Sequence, residues 1–396
     1  MKMQSSPYVA KQNINNIFLQ NKKKVLLSKL DIELTERCNN NCMHCFINLP
    51  VDDVIAKNKE LSKDEIKSIL KEAVTLECMT VRFTGGEPLL REDFEELYIF
   101  ARKLGLKVLI FTNATLITPR LAEVFSRTPP LEKIEVSVYG MKRSSYEKVS
   151  RMAGSFEAAW AGMKLLLENK IPFVVKSAFL PANKEEVNEF EQWAATIPWM
   201  DKPPSYAMFF DLNCRRNEKR NKLIRNLRVS PEEGLKFLTR RKNEYLKMMK
   251  EFCAKFMKPT GDKLFSCGSG VGGGCVDAYG IFQPCLMLRH PDASYNLKTG
   301  SLENALIHFF PKLRETKATN PEYLAHCARC FLKGLCEQCP AKSWAEHGTL
   351  DTPVEYLCQV AHTQARFFGL IQDKEKAWEI RDWQDRINSF IKAKGD

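Results

Sequence analysis

Residues 30–50 read LDIELTERCNNNCMHCFINLP. The first six alternate apolar and polar side chains, a pattern that predicts a strand with one buried face. Directly after it, Cys38, Cys42 and Cys45 stand in the spacing C-x3-C-x2-C. Three is an informative number. A disulfide takes two cysteines and a structural zinc site takes four ligands, whereas an iron–sulfur cluster held by three thiolates keeps one iron open to a reactive partner. The order, strand and then ligands, puts the site at the C-terminal end of a strand, where α/β sheets and barrels bind their ligands.

Outward from this stretch the same alternation recurs. MTVRFTG (79–85), KVLIFTN (107–113), KIEVSVYG (133–140), FVVKSAF (173–179) and YAMFFDL (206–212) read as further strands. Helical patterns lie between them, such as SKDEIKSILKEAVTL (62–76), with Ser62 as N-cap and Glu65 three residues on. Six β/α units in series predict a parallel sheet with right-handed crossovers, open or curled into part of a barrel. Four motifs then fall at the C-terminal ends of their strands: the three cysteines, GGEP (Gly85, Gly86, Glu87, Pro88), TNAT with Asn113, and Ser137. All four open onto one rim.

The chain of 396 residues is long for one domain, and its hydrophobic content of 44% with 27% charged residues is globular. No apolar run reaches membrane-spanning length, and the first residues lack the apolar core of a signal peptide. The expectation is a cytoplasmic protein with no membrane association. Fourteen cysteines in a reducing compartment point to metal or redox work rather than disulfides. The net charge of +12 invites a nucleic-acid reading. Much of the excess lies in Arg215–Arg228, where a solvated helix face is the plainer account, and a nucleic-acid partner is not expected.

Cys38, Cys42 and Cys45 together with Gly85, Gly86, Glu87 and Pro88 resemble the radical S-adenosylmethionine (SAM) enzymes. The resemblance implies a partial (β/α)6 TIM barrel over residues 29–213. It also implies a [4Fe–4S] cluster on the three cysteines, with the open iron chelated by SAM. One electron then yields a 5′-deoxyadenosyl radical that takes a hydrogen atom from substrate. His44 stands where the family places an aromatic-type residue against adenine. Glu87 suits the methionine ammonium, and Gly85 and Gly86 are expected to let the backbone approach the methionine moiety. Asn113 is grouped with these cofactor contacts, Ser137 matches a serine that touches ribose or carboxylate, and Arg151 is a candidate for the methionine carboxylate. Tyr139 stands where many relatives have aspartate.

Eight more cysteines follow: Cys267, Cys275, Cys285, Cys327, Cys330, Cys336, Cys339 and Cys358. The pattern is similar to the SPASM extension, a C-terminal loop-rich domain that holds two auxiliary [4Fe–4S] clusters, although Cys336 and Cys339 are closer than in its common form. The resemblance implies one cluster on Cys267, Cys275, Cys285 and Cys339, and another on Cys327, Cys330, Cys336 and Cys358. The glycines of CGSGVGGGC (267–275) are expected to let backbone amides approach cluster sulfur. Cys78 and Cys253 read as small buried hydrophobes, and Cys214 as packing or a hydrogen-atom donor at the rim. Asp277 reads as a turn residue, with a base acting on substrate as the alternative.

The organisation expected is an N-terminal extension (1–28), the barrel (29–213), a basic helical bridge (214–262), the SPASM-type domain (263–365) and a C-terminal helix (366–396). Trp378, Trp383, Ile387 and Phe390 form a packing stripe on that helix. The resemblance implies an oxidoreductase that modifies a ribosomally made peptide or protein. A tetrapyrrole or other small-molecule substrate is the alternative, and a zinc-binding, nucleic-acid-associated protein is a third reading that leaves GGEP unexplained. The expected partners are a peptide delivered by a separate recognition protein, since the 28 residues before the first strand are too few for such a domain, and an electron donor such as flavodoxin or ferredoxin.

Overall fold

The computed structural model describes residues 27–47, 49–208 and 210–393. The N-terminal extension, apart from its last two residues, lies outside them. The described residues divide into two compact units: those within 27–207, 268–286 and 291–311, and those within 208–267, 287–290 and 312–393.

The first unit is built on β1 (Lys29–Thr35), β2 (Thr80–Gly85), β3 (Lys107–Thr112), β4 (Ile134–Ser137), β5 (Phe173–Ala178) and β6 (Ser205–Ala207), six parallel strands that lie side by side in chain order. Their period-two pattern sorts the side chains. Leu30, Ile32, Val81, Phe83, Val108, Ile110, Ile134, Val136, Phe173 and Val175 are buried on one face. Asp31, Arg82, Phe111, Glu135 and Lys176 fall at the alternate positions. Helices α1 (Lys63–Thr75), α2 (Phe94–Lys103), α3 (Pro119–Arg127), α4 (Arg143–Ser150), α5 (Ser155–Glu168) and α6 (Val187–Ala194) separate the strands. The Ser62/Glu65 capping box forms as the sequence predicts, and α1 buries Ile66, Ile69, Leu70 and Ala73.

The expected domain boundaries do not hold in one respect. Gly273–Val276 (β7) pairs in parallel with β1, and Ile281–Gln283 (β8) and Tyr295–Asn296 (β9) extend the sheet antiparallel. Part of the expected C-terminal domain thus completes the first unit. The reason lies in the glycines: a Cβ on Gly274 would stand 2.5 Å from the Phe282 ring, so a bare backbone is what lets β7 lie between β1 and β8. Gly274 thus serves strand packing.

In the second unit α7 (Glu218–Arg225), α8 (Pro231–Leu238) and α9 (Lys242–Phe256) form the basic stretch, followed by α10 (Pro340–His347), α11 (Glu355–Phe367) and α12 (Trp383–Lys392). Its core joins Tyr245, Met249 and Cys253 of α9 to Phe331, Leu332, Leu335, Ala361 and Ile387. Trp378, Trp383 and Phe390 pack against this cluster, but among the described residues after Phe367 only Trp383–Lys392 is a helix, with turns before it. The basic stretch is not simply solvated, because Arg225 and Arg228 both pair with Glu346 of α10. Among the described residues no helix is long and apolar enough to cross a membrane.

Candidate active site

The cysteine loop is tied down along its length. Arg37, next to Cys38, forms a two-pronged pair with Glu60 (Nε to Oε1 2.8 Å, Nη2 to Oε2 3.1 Å), with both side chains under a tenth exposed. Arg37 and Cys38 also pair as a short ladder with Leu49 and Pro50. Further on, Asn41 N donates to Ser150 O and Met43 N to Val149 O, both 2.9 Å, which fastens the loop to the C-terminal end of α4. The Cys45 amide closes a turn on Cys42 O at 3.1 Å. From β8's side of the sheet, the Tyr279 hydroxyl donates to Glu36 at 2.9 Å.

GGEP meets this loop from β2. Gly86 N donates to Thr35 O at 2.7 Å and Glu87 N to Arg37 O at 2.9 Å. A Cβ on Gly85 would lie 2.0 Å from Thr35 O, and one on Gly86 2.1 Å from Arg37 O. Gly85 also has φ +126°. The two glycines are therefore required by the approach of GGEP to the backbone of Thr35 and Arg37, just before the first cysteine.

Glu87 is 1% exposed and links the loops. Its Oε1 accepts from Leu89 N (3.1 Å) and Thr112 Oγ1 (2.8 Å), and its Oε2 from Asn113 N (2.8 Å). Three of roughly four acceptor positions on a carboxylate are thus used. Burial pushes its pKa up to about 7, against the pull of these donors. Asn113 continues the chain: its Nδ2 donates to Asn39 Oδ1 at 2.9 Å and points to Cys38 Sγ at 3.8 Å, while Asn40 N lies 3.4 Å from the same sulfur. Burial, with Glu87 nearby, raises the Cys38 thiol to about 12, so metal binding here would displace a proton.

The rim is completed by His44, whose ring lies 5.1 Å from Tyr139 at 72°. Ser137 ends β4 on the same face as Glu135, and Arg151 is exposed at the left-handed C-cap of α4, one residue beyond the carbonyl that holds Asn41. The alternate face of the sheet carries a charged row. Lys176 pairs with Glu135 (3.1 Å) and sits 3.2 Å from the centre of the Phe111 ring; Arg82 lies over the same ring at 4.7 Å and pairs with Asp31. Sequence reasoning passed over Arg37, Glu60 and Asn39, and named Thr112 only as part of TNAT; only the arginine directly before the first cysteine offered a signal.

A second group of cysteines gathers within the second unit. Cys327, Cys330, Cys336 and Cys358 line one cavity of about 300 Å³, with His326, Lys333, His362 and Trp378. Burial raises all four thiols, Cys327 to about 11 and Cys330 and Cys358 to about 12. Among the described residues no three His, Cys, Asp or Glu side chains stand close enough to share a single ion. Cys339 lies outside this cavity, as the N-cap of α10. Cys267 is exposed in the second unit, whereas Cys275 in β7 and Cys285 just beyond β8 belong to the first. Cys78, Cys214 and Cys253 are buried, with Cys214 in the second unit. Asp277 is a turn residue, accepting from Tyr279 N and Ile281 N.

A parallel α/β sheet with a three-cysteine loop and a glycine-glutamate turn on one rim defines a class. Residues 32–194 match the radical SAM superfamily, and this span is a radical SAM domain. More particularly, the chain is similar to the AdoMet-dependent heme synthase of Methanosarcina barkeri (strain Fusaro / DSM 804), 27% identical over 80% of this chain and 92% of that protein. Its fold is similar to that of native anSMEcpe with bound AdoMet (TM-score 0.61, 15% identity, 91% of this chain and 98% of that one), a protein solved also with a Cp18Cys peptide (TM-score 0.53, 16% identity, 92% and 99%). It is likewise similar to that of Streptococcus suis SuiB bound to S-adenosylmethionine (TM-score 0.61, 17% identity, 85% and 78%).

Proposed function

We propose that this radical SAM enzyme modifies a ribosomally made peptide or protein by crosslinking, epimerisation, excision or oxidation, using three [4Fe–4S] clusters. The observation that carries the reading is the second cysteine site, in which four cysteines line one cavity in a unit that lies outside the matched domain. A cysteine-rich extension of this kind is what the SPASM pattern of peptide modifiers implies. The remaining four, Cys267, Cys275, Cys285 and Cys339, are the ligands proposed for the other auxiliary cluster.

Cys38, Cys42 and Cys45 are the ligands of the first cluster, and two N–H groups directed at Cys38 suit a thiolate there. With SAM bound, that cluster supplies reductive cleavage to a 5′-deoxyadenosyl radical, which takes a hydrogen atom from substrate. The chain's part is placement. Glu87 has one acceptor position left for the methionine ammonium, held by Thr112 and two backbone amides. Asn113 fixes Glu87 and Cys38 together. His44, beside Tyr139, offers an aromatic edge to adenine, Ser137 a hydroxyl to ribose, and Arg151 a guanidinium to the methionine carboxylate. A separate recognition protein presents the peptide, and flavodoxin or ferredoxin supplies the electron.

A tetrapyrrole substrate is the second reading, favoured by the similarity that spans 92% of the heme synthase. The charged row weighs against it: Arg82 and Lys176 are already paired with Asp31 and Glu135, which leaves a face of balanced charge where a substrate rich in carboxylates asks for cations. The test is label transfer. The reconstituted, reduced chain is given SAM with either a deuterated peptide encoded beside its gene or a deuterated propionate-bearing tetrapyrrole. Deuterium in 5′-deoxyadenosine from the peptide alone supports the proposal, and transfer from the tetrapyrrole alone overturns it.

A further inference from the structure

The cavity in the second unit contains a side chain that its four cysteines do not explain. Lys333 lies midway between Cys330 and Cys336 and is 9% exposed. Its Nζ is buried and makes no hydrogen bond; the Tyr323 ring, 5.4 Å away, is the aromatic surface that faces it. A buried ammonium in this state is costly, and a cation–π contact offsets only part of that cost. A second group points the same way. His362 presents Nδ1 to Cys358, 2.8 Å from its carbonyl oxygen and 3.5 Å from Sγ, while Nε2 accepts from Ala377 N at 3.4 Å. Because Nε2 accepts, the proton of the neutral ring sits on Nδ1, and His362 donates toward Cys358. A cation and an N–H donor therefore border one ring of four thiols.

We propose that Lys333 is the charge partner of a four-thiolate iron–sulfur cluster in this cavity and, with His362, raises its reduction potential. The inference rests on the reading of the cavity as a cluster site. Four thiolates leave a cubane cluster anionic, and one added electron makes it more so; a fixed positive charge stabilises the reduced form more than the oxidised one. The His362 N–H, which donates to the Cys358 carbonyl and lies 3.5 Å from its sulfur, adds positive potential beside that ligand in the same direction, and the apolar surroundings strengthen both effects. Lys333 thus makes this cluster an acceptor, able to take the one electron that a substrate radical gives up as it releases a proton to solvent and becomes a closed-shell neutral product. It is a positioning residue for charge and does not touch substrate.

The test uses the full-length chain, reconstituted anaerobically with ferrous iron and sulfide and reduced stepwise with dithionite while electron paramagnetic resonance is recorded against potential. The signal lost in Cys327→Ala is the one that belongs to the cavity. Lys333→Met should keep its iron and move that midpoint negative by about 60 mV or more, a tenfold change in a one-electron equilibrium, with the other signals in place. Lys333→Arg should hold the wild-type value. A retained cluster with an unmoved midpoint in Lys333→Met overturns the proposal, as does an equal shift in Lys333→Arg. Should Lys333→Met lose the cluster, Lys333→Gln repeats the test: loss in both neutral variants with retention in Lys333→Arg supports charge pairing, and loss in all three overturns it in favour of packing. A wild-type protein with no Cys327-dependent signal refutes the cluster reading itself, a result distinct from these.

Discussion

Replacing Glu87 with glutamine should change how the stability of the first unit depends on pH. In the folded apoprotein, burial raises this carboxyl from its ordinary 4.5 to about 7. Between those values the folded chain holds a proton that the unfolded chain has released, so stability is full below pH 4.5 and falls as pH rises through 7. At about 1.4 kcal/mol per pH unit the interval amounts to roughly 3 kcal/mol. Glutamine has no such proton. The wild type should therefore lose about 3 kcal/mol relative to Glu87→Gln between pH 4.5 and 8. Because two units unfold in this chain, the assay is hydrogen exchange of β2 and β3 amides in mild denaturant, read across that range. Glutamine also sets an amide N–H against Asn113 N or Leu89 N, a mismatch of about 1–3 kcal/mol that is constant with pH and so separable. Parallel pH curves for the two proteins would refute the reasoning.

Two other expectations concern the same rim. Gly86→Ala places a methyl group 2.1 Å from Arg37 O, a backbone atom that cannot turn aside. It should cost about 3 kcal/mol or more and lower iron bound at the first site, while the cavity of the second unit keeps its own; normal iron content throughout would contradict it. Glu60→Ala leaves the Arg37 guanidinium buried without its two-pronged partner and should destabilise by about 3 kcal/mol or more. Faster exchange of the Asn41 and Met43 amides would report the loosened loop, and unchanged exchange would remove Arg37 and Glu60 from the scaffold.

The strands and their rim were legible because period-two burial and ligand position are local properties of the chain. Five strands stand within a few residues of the sequence reading. The sixth shrinks to Ser205–Ala207, because Phe210 and Leu212 are buried in the second unit rather than in a ladder, and an apolar run does not say which core will take it. β7 escaped notice since Gly273 and Gly274 carry no pattern, and the reason for them, the Phe282 ring, is supplied by another strand. The Arg37–Glu60 clamp and the Asn113–Glu87 link join residues more than twenty positions apart, with no periodicity to announce them. Nothing in the sequence sets Lys333 apart from other lysines; its burial beside the cysteines shows only in the fold.

The central claim is that Cys38, Cys42 and Cys45, held against Glu87 and Asn113, form the site of radical generation. The most direct measurement is 5′-deoxyadenosine produced from SAM by the anaerobically reconstituted, dithionite-reduced chain, compared with Cys38→Ala and with Cys327→Ala at matched folding and iron content of the intact sites. The account predicts product from the wild type and from Cys327→Ala, and none from Cys38→Ala. Product from a well-folded Cys38→Ala protein, or none from a wild type that has taken up its iron, would contradict it.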